Sequence, residues 1–182
     1  MGWIIALVII AVIVLYFIST YNGLVRLRNK VKDQWAQIEV LLKRRADLIP
    51  NLVETVKGYA SHEKETFDAV ISARAKAVSA GSVEEEMKAA GELSQALGRL
   101  MAISEAYPEL KANTNFIDLQ NNLKDTEDKI AYARQFYNDA VLLYKNKLEM
   151  FPSNVVANLF GFKPEPFFEA EEADREVPKV QF

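Results

Sequence analysis

The sequence predicts an all-α protein, with an N-terminal transmembrane helix followed by an antiparallel up-and-down four-helix bundle. Three observations lead there. Met1 to Val25 carries no charged residue. Beyond it the apolar residues recur at spacings of three, four and seven, the period of one helix face. No stretch alternates apolar and polar in the manner of a half-buried strand. With 182 residues, 50% of them apolar and 26% charged, the chain suits one globular domain plus an anchor. The expected organisation is an anchor over 1–22, a helical bundle over 23–162 and an acidic extended tail over 163–182.

The anchor is Trp3 to Tyr21. A helix of that length rises ~1.5 Å per residue and covers about the hydrocarbon thickness of a bilayer. Nothing basic precedes Trp3, and Phe17 to Tyr21 offers a poor cleavage context, so the segment reads as a retained span and not as a signal peptide. Trp3, Tyr16 and Tyr21 are candidate interfacial aromatics. Arg26, Arg28, Lys30 and Lys32 follow the span at once. The positive-inside bias then places the chain in a cytoplasmic (inner) membrane as a single pass, N-terminus outside and bundle in the cytoplasm.

The first bundle helix is written in Leu24, Leu27, Val31, Trp35, Ile38, Leu42, Ile49, Leu52 and Val56. Pro50 lies inside that pattern and cannot donate to the carbonyl of Ala46, which predicts a kink. Gly58 supplies a stop and Ser61 an N-cap for a second helix from about His62 to Val78. A chain helical through Gly58 is the alternative, giving an elongated kinked three-helix rod; Gly inside a helix costs only about 1 kcal/mol relative to Ala. Ser82 and Glu85 form a capping box, with Glu84, Glu85 and Glu86 at the positive end of a third helix that Tyr107-Pro108 halts. Phe116, Leu119, Leu123, Thr126, Ile130, Ala133, Tyr137, Ala140, Tyr144 and Phe151 then mark a fourth helix of nearly forty residues. Pro152 closes it, Ser153 is placed to cap a short helix through Phe160, and Gly161 ends that helix.

The chemistry is sparse. There is no cysteine and one histidine. His62-Glu63 lacks the second imidazole that a zinc helix needs one turn on, and no Glu-x-x-His pair serves a di-iron site. The seven glycines form no phosphate-binding loop. A formal net charge of -3 leaves little electrostatic footprint for nucleic acid. The residues therefore predict no enzymatic activity, no cofactor and no metal.

One polar side chain falls on the apolar stripe. Arg45 lies seven residues from both Ile38 and Leu52, where a guanidinium needs a partner. With the first and fourth helices antiparallel and Leu24 level with Met150, Arg45 comes level with residue 129. Glu127 and Asp128 are the candidate partners, in an ion pair that fixes register more than stability; the alternative is an Arg45 that snorkels to the surface. Toward the end, Phe151, Phe160 and Phe162 lie where an even-numbered bundle returns to the bilayer, as a membrane foot, the bottom of the core or an oligomer contact. The stretch 163–182 holds Lys163, Arg175 and Lys179 against six acids, with Pro164, Pro166 and Pro178. It reads as a solvated tail whose end, Val180, Gln181 and Phe182, suits a peptide-binding pocket.

The run Tyr21-Asn22, Leu24-Val25, Leu27-Arg28-Asn29, Trp35 and Leu41 to Glu63 closely resembles the signature of the LemA family of bacterial membrane proteins. So do Glu105 to Ala112, Asn115-Phe116, Thr126-Glu127, Ala133-Arg134, Tyr137-Asn138, Phe151-Pro152 and Gly161-Phe162, so that the resemblance covers about residues 1–168. Asp128 departs from the family's frequent asparagine, and Lys145 from its usual Tyr-Asn. The resemblance implies a single spanning helix, a cytoplasmic helical bundle and no established activity. Two functions compete. One is a membrane-anchored scaffold that self-assembles as a homo-oligomer on the lipid bilayer, by coiled-coil-like contacts. The other is an adaptor or regulator of a membrane quality-control protease or other membrane complex, engaged through the tail.

Overall fold

The computed structural model describes residues 1–168. Helix is their sole regular structure, with no strand among them: α1 Gly2–Lys57, α2 Lys64–Ser79, α3 Val83–Glu105, α4 Pro108–Lys111, α5 Thr114–Glu149 and α6 Ser153–Leu159. The anchor and the expected first bundle helix are one element. Gly23, the one weak helix former at their junction, does not interrupt it, as expected for a single residue costing about 1 kcal/mol. The large apolar residues from Trp3 to Leu15 are exposed, and this part of α1 is long and apolar enough to cross a membrane.

Pro50 also sits within α1. The helix does stop at Lys57, and the turns that follow rule out the alternative of one helix through Gly58. α2 begins two residues later than Ser61 and His62 suggested: its N-cap is Glu63, without a side-chain cap, and His62 is an exposed turn residue before it. At α3 the Ser82 hydroxyl accepts from the Glu85 amide at 3.3 Å. Glu85 returns its carboxylate to the Gly81 amide at 2.9 Å, one residue before the usual partner in a capping box. Pro108 opens α4 at its first turn, where a missing N–H costs nothing. Asn113 then caps α5, its Oδ1 accepting from the Phe116 amide at 3.0 Å.

Ser153 does not cap α6. Its hydroxyl lies 2.7 Å from the Lys147 carbonyl and 2.8 Å from that of Met150, so it serves carbonyls at and just past the end of α5. Gly161, at φ +68°, ends α6 with Phe162 N–H bonded to Ala157 O and Gly161 N–H to Asn158 O, the paired bonds of a Schellman motif.

The described chain forms two compact units. The first comprises Met1–Gln37 and Arg134–Phe167, with Leu24, Val31, Trp35, Tyr137, Tyr144 and Val156 in its core. Trp35 meets Tyr137 edge to face at 5.3 Å. The second comprises Ile38–Ala133 and, among the described residues, Phe168. Its core draws on the end of α1 (Ile49, Leu52, Val56), on α2 (Phe67, Val70), on α3 (Leu93, Leu97, Leu100) and on the start of α5 (Phe116, Leu123). The tail is not wholly solvated: the Tyr137 hydroxyl donates to the Pro166 carbonyl at 2.8 Å, Lys145 lies over the Phe167 ring, and Phe168 is buried. Val180, Gln181 and Phe182 lie outside the described residues.

Candidate functional site

Arg45 is 2% exposed, the largest of the fully buried side chains. Its place follows from the stripe, which turns position 45 inward together with Ile38, Ile49 and Leu52. Nη1 donates to Glu127 at 3.1 and 3.2 Å and to Ser94 Oγ at 3.0 Å, while Nη2 donates to the Ala90 carbonyl at 3.1 Å. Ser94 itself donates to Ala90 O, which leaves its lone pairs to accept from the guanidinium. The small residues Ala90 and Ser94, one turn apart on α3, make the room. Glu127 keeps 38% of its side chain exposed. Asp128 is exposed: one residue further along α5 turns the side chain about 100° away, so of the two candidate acids Glu127 takes the contact.

A second guanidinium lies close by and had no signal in the sequence. Arg74, from α2, donates Nε to the Ala46 carbonyl at 2.8 Å. That carbonyl is the one Pro50 leaves without its helical donor, and α2 supplies the replacement. Arg74→Ala is expected to cost about 1–3 kcal/mol by orphaning that carbonyl. Pro50→Ala, which restores the amide at 50, should recover much of the loss in the double variant. Chemical unfolding of the four proteins measures this; strictly additive losses would mean that Arg74 does not stand in for the missing donor.

Arg45 and Arg74 share a cavity of about 360 Å³ with Glu39, Leu42, Glu86 and Leu93 among its lining. Burial raises the Glu86 carboxyl above its ordinary range, and the nearby Glu39 charge raises it further. No hydroxyl-base or thiol-base pair is present there. Both terminal nitrogens of Arg45 are held, by carboxylate, hydroxyl and carbonyl, while its Nε is buried without a hydrogen-bond partner among the described residues; the arrangement is that of a structural group. Among the described residues no cluster of three or more His, Asp or Glu is placed to hold a metal ion.

The aromatic candidates separate. Tyr21 packs its ring against Phe160 at 4.9 Å and Phe162 at 5.6 Å, and Arg28 lies over the Phe162 ring. Tyr16 meets Phe17. Trp3 and Phe151 are exposed, so Phe151 leaves the inward stripe that the spacing assigned to it, because α5 ends before it at Glu149.

The LemA family model matches residues 34–182. The magnetosome protein MamQ 2 of Paramagnetospirillum magneticum is 30% identical over 92% of this chain and 73% of its own length. MamQ of Magnetospirillum gryphiswaldense is 28% identical over 86% and 69%, and protein LemA of Metamycoplasma hominis 24% over 87% and 73%. None of these names states an enzymatic activity. The motifs quoted from the sequence fall largely within the matched span, from Trp35 through Gly161-Phe162, and this chain belongs to the LemA family.

Proposed function

We propose that this protein is a non-enzymatic scaffold, anchored by the start of α1 and self-assembling at the cytoplasmic membrane through the outer face of α5. The observation that carries the reading is an apolar seam left uncovered by the described residues. Phe136 and Leu143 lie seven apart on α5 and are 60% and 59% exposed, with Leu142 exposed beside them and Met150, 63% exposed, just past the end of the helix. That is the pattern of a helix seam awaiting another helix, and a second copy supplies the same seam. The antiparallel up-and-down bundle is part of this proposal, supported by the core that the end of α1, α2, α3 and the start of α5 share. So is the orientation with the bundle in the cytoplasm, supported by Arg26 to Lys32.

The detergent-extracted protein should run as a closed homo-oligomer by light scattering. Phe136→Glu with Leu143→Glu should dissociate it without lowering its helix content, since both side chains are exposed in the single chain. A parent that is monomeric at micromolar concentration would remove the scaffold reading.

A further inference from the structure

α6 turns two sides to its surroundings. Ser153, Val156 and Ala157 are buried, whereas Val155 and Leu159, one turn apart, are 48% and 67% exposed. Phe151 before the helix and Phe160 after it are exposed as well. No charged residue occurs from Met150 to Phe162; apart from the anchor region, this is where the described chain most combines exposed apolar side chains with a lack of charge. Its position is fixed by Tyr21, whose ring holds Phe160 and Phe162. Tyr21 stands where α1 changes environment: the apolar side chains up to Ile18 are mostly exposed, while Thr20 and Leu24 are buried. From Ile18 to Tyr21 is less than one turn, about 4.5 Å of helix rise.

We infer that α6, with Phe151 and Phe160, is an interfacial foot that lies in the headgroup and acyl boundary of the membrane that α1 spans. A short apolar face without charge, tethered beside a spanning helix, needs little further binding energy, because the anchor has already confined it to the surface. Arg28, over Phe162, and Lys163, just past the uncharged stretch, supply cations on the headgroup side. The inference rests on the reading of α1 as a membrane span, and its test keeps the two apart.

The chain has no native cysteine, so single cysteines can carry an environment-sensitive fluorophore in the full-length protein reconstituted in phosphatidylcholine and phosphatidylglycerol vesicles. The positions are Leu159→Cys and Phe151→Cys in the foot, Ile10→Cys in the span and Gln135→Cys on α5, all exposed. Lipids spin-labelled near the headgroup should quench the Leu159 and Phe151 probes several-fold more than the Gln135 probe, and lipids labelled deep in the chain should quench Ile10 most. Quenching at Ile10 with Leu159 and Phe151 no better quenched than Gln135 overturns the foot and leaves the anchor standing. An unquenched Ile10 overturns both. A Leu159 probe that is shielded from lipid quenchers, and released as the protein is diluted in lipid, assigns this face to a second copy and overturns the foot.

Discussion

Trp35→Ala is expected to destabilise the protein by about 3–5 kcal/mol, the range for removing a buried aromatic side chain from a packed core. Trp35 is 7% exposed, and the Tyr137 ring against which it stands is 1% exposed. Tyr137 is fixed at its far end by the bond to Pro166, so the ring cannot swing freely into the space that truncation leaves. A cavity that cannot collapse is what places a substitution at the costly end of the range. Trp35→Phe keeps a ring facing Tyr137 and should cost less than half as much. Urea unfolding of the detergent-solubilised protein, followed by the loss of helical circular dichroism because both variants lack the Trp35 fluorophore, measures both. An unchanged midpoint for Trp35→Ala, with unchanged slope, would place Trp35 outside the core.

How much of this was legible follows from which interactions are local in sequence. Leu24, Val31, Trp35, Ile38, Ile49, Leu52 and Val56 could be picked out because helix period alone turns them one way, and all are buried. The Ser82–Glu85 cap was legible for the same reason, both partners lying within one turn. Ser153 departs from the expected cap because a serine at a helix junction has the groups of two helix ends within reach, and the carbonyls of Lys147 and Met150 take its hydroxyl. The outer seam of α5 was hidden by adjacency. Phe136 precedes Tyr137 and Leu143 precedes Tyr144, so two apolar sevens run side by side and the spacing alone identifies only the inward one. For Arg45, a level count reached residue 129, close enough to suggest a partner acid but not to choose between neighbours whose side chains point 100° apart. Arg74 was beyond reach because its bond to Ala46 spans 28 residues: Pro50 marks the carbonyl left without a helical donor, but nothing local names the side chain that replaces it.

Glu127→Ala is expected to cost more than Arg45→Met, although the first removes fewer atoms. The asymmetry comes from burial. Arg45 is 2% exposed on its side chain and Glu127 38%. Deleting the carboxylate leaves a guanidinium inside the core with only Ala90 O and Ser94 Oγ to face it, and an uncompensated buried charge costs ~3–5 kcal/mol. Deleting the guanidinium leaves a carboxylate that water already reaches, and the Ala90 carbonyl keeps the Ser94 hydroxyl as a donor. Methionine fills most of the vacated volume, so Arg45→Met should cost only about 1–2 kcal/mol. Once Arg45 is methionine, Glu127→Ala has no charge left to strand; the double variant should match Arg45→Met closely, with a coupling above about 2 kcal/mol. Asp128→Ala, at an exposed position one residue away, should stay within about 0.5 kcal/mol of the parent. The coupling should persist in high salt, because a guanidinium removed from solvent is poorly screened. Additive losses, or an Arg45→Met variant weaker than Glu127→Ala, would mean that Arg45 is not a buried cation dependent on Glu127. The contact would then contribute no more than an ordinary surface pair, at most about 1 kcal/mol.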